Sequence, residues 1–511
     1  MHADKEQTAM TSDDVYIGLD LGTSSLKGVA LDAAGRAFAS DREPYDTARP
    51  GPGLAEQDPW SWKEAAKAVL LRLAATVSPE RWKTIGLSGM IPTVVTLGVD
   101  GLPTGPAFTW EDCRAHAEAT EIVWQSGAKE TYEQTGQPLD GRYLLPMFAW
   151  IQRHDPARAA RTATLLGAKD YLFAWLTGEV LTDPSTATGY GCYGLETGAW
   201  LPPLAAVAGV SPTGGRAGRP GLPQIVPSAE TRPLRPEVAA DLGLPAGLRV
   251  CAGAADSVLA AEALGAVTPG SVAYVWGTST VVLGASRELA LDPERRCLVT
   301  PLATPGWGVE MDLVSTGAAV AWLSRLLGYG PGGQADVVAA AASAQEGVVP
   351  VALPFVGVGE QGALWDNDVR GTLVGLDLSH GPADVARAVL DGIIMESRRC
   401  LRRLHDLGLP SGDVRVAWRG ADPWFCSRLA DATGRTVLVG DPVETSSAAG
   451  AARLAAIAAD AELPPAGTAD ERFEPDPQHT AEWDRRWTEY VDVLRPLQRL
   501  YAVWPPKSKE W

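Results

Sequence analysis

Cysteine and histidine are scarce in this chain. The 511 residues include six cysteines and six histidines. The cysteines stand far apart, at positions 113, 192, 251, 297, 400 and 426, and no two of them form a Cys-x-x-Cys pair. A structural zinc site needs closely spaced thiolate or imidazole ligands. The wide spacing of the cysteines therefore excludes a zinc site with the usual ligand spacing. We expect the six thiols to be reduced.

Long hydrophobic runs are also missing. No stretch of about 18 uncharged apolar residues occurs, which excludes a membrane-spanning helix of the usual kind. The first residues, Met1 to Asp14, are polar and lack the apolar segment of a signal peptide. We therefore expect residues 1–13 to form a disordered leader, and the protein to be soluble and cytoplasmic with no membrane partner.

Positive charge is in the minority. Lys and Arg number 44 against 62 Asp and Glu, which gives a formal net charge of -18 and a pI near 4.9. Nucleic-acid binding driven by charge needs clustered Lys and Arg, so we expect no nucleic-acid partner. With 46% hydrophobic residues, a chain of this length can bury the cores of roughly two to four globular domains.

Strand and helix patterns alternate along the chain, and one scheme occurs twice. A buried strand at 15–20, a tight turn and a returning strand at 27–32 precede a helix at 58–76. The same opening returns with strands at 271–276 and 280–283. Further strands are predicted at 84–88 and 93–99, and further helices at 144–153, 169–176, 318–327, 382–407 and 446–459. This alternation favours an α/β fold in which one unit is used twice.

Two segments carry no predicted element. The stretch from Gly209 to Pro223 is rich in Gly, Pro and Arg without periodicity, and it is interpreted as a surface loop that serves as a spacer. The C-terminal stretch is acidic and rich in Pro.

Each opening pair of strands encloses a Gly-Thr-Ser turn. The copies are Gly22-Thr23-Ser24 and Gly277-Thr278-Ser279. Gly allows close approach of the backbone, and turn amides together with Thr and Ser hydroxyls can form a nest for anionic oxygens. One such turn taken alone is an ordinary hairpin turn. Two copies at matching positions of a repeated unit indicate phosphate binding.

One carboxylate stands close to each turn. Asp20 ends the first strand and is suited to hold Mg²⁺ beside a phosphate, although a turn-capping role is the alternative. Asp256 follows a strand at 248–251 and opens an Ala-rich helix. It is either a helix N-cap or a general base that accepts a proton from a substrate hydroxyl. The phosphate turns favour the base.

These motifs resemble those of the FGGY carbohydrate kinases. The stretch from Asp20 to Lys27 is similar to the first phosphate motif of the family, and Ala254-Ala255-Asp256 with Trp276-Gly277-Thr278-Ser279 is similar to its catalytic and second phosphate motifs. Other stretches are similar to the xylulokinase branch: Glu56-Gln57-Asp58-Pro59, Trp110-Glu111-Asp112-Cys113-Arg114, Lys169-Asp170-Tyr171-Leu172, Leu176-Thr177-Gly178-Glu179, Trp365-Asp366 and Arg370-Gly371. The resemblance extends from about Tyr16 to Ala459.

The resemblance implies a fold, cofactors and partners. The fold is α/β, with two actin-like (ribonuclease H-like) domains flanking a catalytic cleft. Residues 14–265 would form the sugar-binding N-terminal domain and residues 266–505 the nucleotide-binding C-terminal domain. ATP and Mg²⁺ would be the cofactors, a small-molecule sugar the substrate, and a homodimer the assembly.

The resemblance also implies roles for individual residues. Asp256 would be the catalytic base beside the sugar, and Asp20 the metal partner. The phosphate or ATP contacts would come from Gly22, Thr23, Ser24, Lys27, Gly277, Thr278, Ser279, Gly317 and Gly420. The sugar contacts would come from Met90, Ile91, Trp110, Asp112, Arg114 and Asp256. For Trp110, Asp112 and Arg114 the alternative is a core indole with an adjacent ion pair.

Two segments depart from the family pattern. Xylulokinases carry Met-His where this chain has Ile91 and Pro92, so an imidazole that would bond the sugar is missing. The adenosine motif keeps at most one of its glycines, and Trp418 or Arg419 either stacks on adenine or covers the following helix. The sugar and the nucleotide therefore stay open at this point.

The sequence predicts an ATP-dependent kinase that phosphorylates a ketopentose such as D-xylulose. Ribulose, gluconate and an erythritol-type polyol are the alternative acceptors. A sensor of the same fold that binds sugar or nucleotide without turnover is the alternative of a different class. A chaperone-type or hexokinase-type ATPase fits the phosphate turns but not the stretch Trp110 to Arg114.

Overall fold

The computed structural model describes residues 13–344, 349–357, 359–418, 421–467 and 471–503. The chain divides into two units. The first consists of Met1–Ala263, Thr300–Thr304 and Val443–Ala466, and the second of Leu264–Val299, Pro305–Pro442 and Gly467–Trp511. The first long segment thus ends close to the predicted boundary at 265, whereas Val443–Ala466 groups with the first unit. Of the predicted leader, residues 1–12 lie outside the described part of the chain.

The first unit contains fifteen strands and eleven α-helices among its described residues. The strands are β1 (Val15–Leu21), β2 (Ser25–Asp32), β3 (Ala37–Pro44), β4 (Glu56–Gln57), β5 (Trp82–Gly89), β6 (Val95–Leu97), β7 (Ala107–Phe108), β8 (Thr164–Leu166), β9 (Leu181–Thr182), β10 (Tyr193–Gly194), β11 (Ala199–Trp200), β12 (Gln224–Ile225), β13 (Thr231–Pro233), β14 (Arg249–Cys251) and β15 (Ala254–Ala255). The helices are α1 (Pro59–Thr76), α2 (His116–Ser126), α3 (Ala128–Thr135), α4 (Leu144–His154), α5 (Pro156–Arg161), α6 (Ala168–Thr177), α7 (Pro184–Thr188), α8 (Pro202–Val207), α9 (Pro236–Leu242), α10 (Asp256–Ala263) and α15 (Ser447–Ala458). A short 3₁₀ turn lies at Pro79–Arg81.

A mixed sheet forms the centre of the first unit. Its strand order is β13-β14-β5-β1-β2-β3, with β15 also paired to β5. Strands β1, β2 and β3 form an antiparallel meander, while β5 runs parallel to β1 and β14 parallel to β5. The buried residues of β1 and β5 pack with those of α1 and α6 in one hydrophobic core. The meander explains why a hairpin turn follows the first strand directly.

Helix α15 packs on the other face of this sheet, where Tyr16, Val29 and Leu31 form a small core with its alanines. The helix is rich in alanine, and it contacts β1 and β5. At Gly18 in β1 a Cβ atom would lie 1.9 Å from the carbonyl oxygen of Ala448, so only glycine allows this approach. This close packing explains why Val443–Ala466 belongs to the first unit although it is distant in sequence.

The second unit repeats the arrangement. Its described strands are β16 (Val272–Trp276), β17 (Thr280–Ser286), β18 (Leu298–Pro301), β19 (Trp307–Leu313), β20 (Val351–Leu353), β21 (Thr372–Val374), β22 (Val414–Ala417), β23 (Val437–Val439) and β24 (Glu471–Phe473). Its described helices are α11 (Gly317–Leu326), α12 (Gln334–Ser343), α13 (Pro382–Asp406), α14 (Pro423–Thr433) and α16 (Pro477–Tyr501). The sheet order is β18-β19-β17-β16-β22-β23-β24.

The two sheets share one topology. In the second sheet β16, β17 and β19 form the antiparallel meander, and β22 and β23 continue it in parallel. Strand β16 therefore corresponds to β1, and the β16–β17 turn to the β1–β2 turn. The prediction of an α/β unit used twice is confirmed, and the two Gly-Thr-Ser turns occupy equivalent hairpins.

The predicted helices agree with the structure to within one residue at each end. Other predictions differ more from what is observed: the strand predicted at 280–283, for example, extends to Ser286. The strand predicted at 93–99 is limited to Val95–Leu97, because Gly98 already bonds across a turn to Leu102. The C-terminal stretch, for which no element was predicted, contains the 25-residue helix α16. The segment from Gly209 to Pro223 contains no helix or strand, as predicted.

Candidate functional site

Neighbouring side chains fix the conformation of the first Gly-Thr-Ser turn. Gly22 N donates to the carbonyl of Ser25 at 3.2 Å, closing the turn. The hydroxyl of Tyr45 donates to the Gly22 carbonyl, and Gln57 Nε2 donates to the Thr23 carbonyl at 2.6 Å. Because side chains from other segments donate hydrogen bonds to these two carbonyls, the turn is held in one conformation before any ligand binds.

An ion pair spans the base of this turn. Asp20 and Lys27 are paired across β1 and β2, and Lys27 Nζ donates to Asp20 Oδ2 at 3.2 Å. Asp20 is 3% exposed, and Ser88 Oγ donates to its other oxygen at 2.8 Å. The side chain of Lys27 is 45% exposed. Asp20 raises the pKa of Lys27 above its ordinary value, and Asp256 adds to the rise, so Lys27 stays positive at neutral pH.

Asp256 lies at the same edge of the sheet. In the register of the sheet, Asp20 pairs with Ser88, and Ser88 pairs with Ala254 on its other side. Asp256 follows two residues later, where β15 ends and α10 begins, and it is half-buried. Its Oδ1 accepts from Ser257 N at 2.9 Å. The first unit thus brings two carboxylates and one ammonium together at the carboxyl ends of adjacent parallel strands.

The predicted sugar-side motif divides into two parts. Trp110 is partly buried, and its Nε1 donates to Thr23 Oγ1 at 3.0 Å, which ties the indole to the first turn. Asp112 has no exposed surface, and its carboxylate binds Arg114 through both oxygens at 2.7–3.0 Å. The Arg114 guanidinium also binds Glu56 and lies over the ring of Phe108. Asp112 and Arg114 therefore have the geometry of the core ion pair that was the alternative for them.

Met90 and Ile91 follow β5 directly. Met90 is buried, and its amide donates to the Leu21 carbonyl at 3.0 Å, next to the first turn. Ile91 is partly exposed and precedes Pro92. Both stand near the end of β1, and neither side chain offers a strong hydrogen-bonding group.

The second Gly-Thr-Ser turn is shorter than the first and packs on a helix N-terminus. Gly277 N donates to the Ser279 carbonyl at 2.8 Å, and Ala318 N donates to the Thr278 carbonyl at 2.8 Å. Gly317 begins α11, and a Cβ atom there would lie 2.1 Å from the Gly277 carbonyl oxygen. A helix N-terminus beside a turn with small residues favours anionic groups.

A cavity of about 480 Å³ adjoins this second turn. Its walls are mostly apolar, and the indoles of Trp276 and Trp418 are stacked in it with ring centroids 4.8 Å apart. The lining residues are Trp276, Gly277, Thr278, Gly317, Ala318, Val320, Ala321, Gln334, Ala335, Val338, Leu390, Trp418 and Asp422. The predicted contact Gly420 lies outside the described residues, as does Arg419. The cavity combines a polar turn at one side with aromatic surface at another.

Sequence reasoning missed Tyr45 and Ser88 and gave Gln57 and Trp276 no role of their own. Tyr45, Ser88 and Gln57 fix the first turn and Asp20, and Trp276 lines the cavity beside Trp418, which was one of the two predicted candidates for stacking on adenine. Gln57 belongs to the stretch Glu56-Gln57-Asp58-Pro59, which resembles the family, but only the folded structure brings its side-chain amide to the Thr23 carbonyl. The groups around both turns are drawn from distant parts of the sequence.

Glu360 supports the strand end that leads to Gly317. Its buried carboxylate accepts from the amides of Val314 at 2.7 Å and Ser315 at 3.3 Å. Burial raises the pKa of Glu360 to about 8, against a partial lowering by these amides. The folded protein therefore holds a proton on this group at pH values where the unfolded chain has lost it.

We expect Glu360→Gln to change how stability depends on pH. Between about pH 5 and 8 the folded parent binds one more proton at Glu360 than the unfolded chain, so this group makes stability fall as pH rises. The loss amounts to up to roughly 4 kcal/mol at about 1.4 kcal/mol per pKa unit. Urea unfolding of parent and variant at pH 5.5, 6.5, 7.5 and 8.5 measures it. The variant should lack this slope.

The exposed Glu482→Gln serves as the control, and its difference from the parent should be independent of pH. If Glu360→Gln kept the slope of the parent, the assignment of the proton to Glu360 would be wrong.

The described residues offer no cluster of three or more His, Cys, Asp or Glu side chains that could hold a metal ion. Among the same residues, no helix has the length and apolar character needed to cross a membrane.

Known proteins place the chain in a family. Residues 15–263 match the N-terminal domain of the FGGY family of carbohydrate kinases, and residues 272–459 match its C-terminal domain. A xylulose kinase of Escherichia coli (strain K12) is 29% identical over 497 residues, which cover 96% of this chain and 100% of the relative. A gluconokinase of Bacillus subtilis (strain 168) is 26% identical over 394 residues, 74% of each chain.

A solved structure agrees over the same length. The xylulose kinase of Rhodospirillum rubrum is similar with a TM-score of 0.86 and 29% sequence identity, covering 96% of this chain and 100% of that one. The chain belongs to the FGGY family of carbohydrate kinases and lies in its xylulokinase-like branch. It is a sugar kinase, a phosphotransferase with an alcohol group as acceptor, and this membership implies ATP as the phosphoryl donor.

Proposed function

We propose that this kinase transfers the γ-phosphoryl group of ATP to a terminal hydroxyl of D-xylulose. The observation that carries the proposal is the grouping of Asp256 with the Asp20–Lys27 pair at one sheet edge, next to the fixed turn at Gly22. The relatives named xylulose kinase, which match almost the whole chain, support the choice of sugar.

In this proposal Asp256 is the general base. Its half-buried carboxylate accepts the proton of the attacking hydroxyl as the new oxygen–phosphorus bond forms and the bond between the γ-phosphorus and ADP breaks. Lys27, kept positive by its two carboxylate neighbours, offsets charge on the phosphoryl oxygens. The amides and hydroxyls of Thr23 and Ser24 add donors on the same side, and Gly22, whose own amide closes the turn, has no side chain to keep a phosphate oxygen away.

The nucleotide site of the proposal is the cavity of the second unit. Gly277, Thr278 and Ser279, together with Gly317 at the start of α11, are suited to phosphate oxygens. The stacked Trp276 and Trp418 offer an apolar aromatic surface to the base of ATP. Trp418 lies in the segment where the adenosine motif departs from the family pattern, whereas Trp276 belongs to the stretch that resembles the family's second phosphate motif.

The residues around Asp20 fit a magnesium ion only if phosphates and water supply most of its oxygens. Each carboxylate oxygen of Asp20 already accepts one hydrogen bond, from Ser88 and from Lys27, and keeps a further lone pair. Mg²⁺ is commonly held by one or two carboxylates, waters and substrate phosphates. When bound, the ion would neutralise charge on the transferred group, and we assign Asp20 as its protein ligand.

Trp110 is the proposed sugar contact of its motif, and Asp112 with Arg114 its support. The buried ion pair fixes the segment that carries the indole against Thr23. Met90 and Ile91 lie next to the first turn as well. The imidazole that xylulokinases carry at this position is missing here. The homodimer remains a prediction from the resemblance, and the cytoplasmic location remains a prediction from the sequence pattern.

Release of ADP from Mg·ATP in the presence of different acceptors tests the proposal. We expect D-xylulose to give the highest kcat/KM in a panel that also contains ribulose, gluconate, erythritol and glycerol. Gluconate is the acceptor to compare first, because a gluconokinase is among the relatives. Turnover with gluconate alone would reassign the substrate, and release of ADP that no acceptor increases would overturn the proposed function.

A further inference from the structure

Three charged side chains form a network in the interior of the first unit. Lys169, Asp170 and Asp183 are each at most 1% exposed. Lys169 Nζ donates to Asp170 Oδ1 at 2.7 Å and lies 3.0 Å from Asp183 Oδ1. Lys169 and Asp170 open the stretch Lys169-Asp170-Tyr171-Leu172, to which the proposed function assigns no task. Charges buried this completely are costly unless each has a partner.

Hydroxyl and amide groups satisfy the remaining oxygens of the network. Tyr190 OH and Gly167 N both donate to Asp170 Oδ2, at 2.9 and 3.2 Å. Ser185 Oγ donates to Asp183 Oδ2 at 2.5 Å, and Ser228 Oγ donates to the same oxygen at 3.3 Å. Each carboxylate is thus bound by the ammonium on one side and by hydroxyls or amides on the other.

The network ends one residue before Asp256. The hydroxyl of Ser185, while donating to Asp183, accepts from the amide of Ala255 at 2.9 Å. Ala255 is the last residue of β15, and Asp256 is the first residue of α10. The backbone atom bonded to Ser185 therefore lies directly before the carboxylate-bearing residue.

The other end of the network is fixed to β5, the strand that pairs with β15. Gly89 closes β5 and pairs with Ala255, and a Cβ atom on Gly89 would lie 2.9 Å from the Cβ of Lys169. Lys169 thus packs against the end of β5 while its ammonium anchors Asp183. The strand-to-helix junction at Asp256 is held both through the sheet and through the ion network.

We propose that the hydrogen-bonded series Lys169, Asp183 and Ser185 positions the Asp256 carboxylate. The inference rests on the proposed role of Asp256 as the base. A misplacement of a reacting group by about 1 Å can lower the reaction rate roughly 10²-fold. A backbone that is fixed directly before the base therefore helps to keep kcat high. Ser185 links the network to Asp256, because its hydroxyl accepts the hydrogen bond from the Ala255 amide while donating to Asp183.

The test removes the Ser185 hydroxyl. In Ser185→Ala we expect kcat with Mg·ATP and the preferred sugar to fall about tenfold or more, with the KM for ATP within twofold of the parent. Hydrogen exchange of the Ala255 amide, followed by mass spectrometry of a peptide that contains it, should become faster. Ser185→Thr keeps a hydroxyl and should restore most of the rate.

Thr135→Val is the matched control. Thr135 lies in the first unit, is 1% exposed, and its hydroxyl also accepts from a backbone amide, that of Gln137 at 3.2 Å. This variant should keep the kcat of the parent. An equal fall of kcat in Ser185→Ala and Thr135→Val would show a general packing effect and overturn the inference.

The Asp256→Asn background separates this inference from the proposed function. If Ser185 acts through Asp256, Ser185→Ala should not lower the residual rate of Asp256→Asn further. If Asp256→Asn keeps the activity of the parent, the proposed function has failed. If Asp256→Asn is inactive while Ser185→Ala has the kcat of the parent, only the positioning role has failed.

Should Ser185→Ala not fold, Ser185→Cys is compared with Ser185→Thr in the same assays. Equal kcat values of Ser185→Cys and the parent would overturn the inference.

Discussion

Replacement of Asp256 by Asn is expected to lower kcat roughly 10²–10⁴-fold, the range for loss of a general base. Asn has the same shape and keeps an oxygen that can accept from Ser257 N, so the start of α10 should stay intact. It cannot accept the proton of the attacking hydroxyl at neutral pH. Initial rates of ADP formation at saturating Mg·ATP and sugar measure the effect, and the KM for ATP should change little.

An exposed aspartate of the same unit provides the control. Asp241 forms an ion pair with Lys67 on the surface. Asp241→Asn should therefore keep the kcat of the parent, and the thermal midpoints of both variants should lie within a few degrees of it. A fully active Asp256→Asn would remove Asp256 from the chemistry and leave it a residue at a helix start.

The hairpins and their carboxylates could be predicted because the signals are local. A buried strand, a Gly-Thr-Ser turn and a returning strand stand within 20 residues in each copy, and the β1–β2 and β16–β17 hairpins have this form. The Asp20–Lys27 contact follows from the register of the first hairpin alone. The repeat also made the fold predictable, because two copies of one opening unit predict two sheets with the same topology.

The contacts that fix these hairpins could not be predicted, because they join distant positions. Trp110 reaches Thr23 across 87 residues, and Ser185 reaches Ala255 across 70. A local pattern of residue types does not predict hydrogen bonds between positions so far apart in the sequence. Asp112 and Arg114 show the consequence, since their motif suggested a sugar contact and their burial and mutual bonds indicate support of the segment instead.

Helix α16 is a different case, because its signal was available in the sequence. Asp476 caps the helix, Pro477 occupies its first turn, and the buried residues Trp483, Tyr490, Leu494 and Tyr501 recur at helical spacing. The prolines and charged residues of the surrounding stretch made this periodic pattern of apolar residues hard to recognise. Proline at the start of a helix is favourable, so its presence there was no argument against one.

Replacement of Gly317 by Ala is expected to lower kcat/KM for ATP by roughly 10²-fold. The added methyl carbon would lie 2.1 Å from the Gly277 carbonyl oxygen, closer than real Cβ contacts, so the second turn or the start of α11 must move. Both form the proposed phosphate side of the nucleotide cavity. Calorimetric titration with ADP should show the loss as weaker binding, while the affinity of the sugar stays within a few-fold of the parent.

Two other glycines of the second unit separate this effect from the addition of a methyl group as such. Gly381 is the N-cap directly before α13, and the Cβ of Gly381→Ala would meet only the Asp384 carboxylate, at 3.9 Å, so ADP binding should not change. Gly277→Ala is the more informative comparison, because its Cβ would contact only the Ser279 carbonyl, at 3.3 Å. The turn can keep its shape there, so weaker ADP binding in Gly277→Ala would come from the methyl group blocking phosphate. If Gly277→Ala and Gly317→Ala both bound ADP like the parent, the second turn would not be the phosphate site.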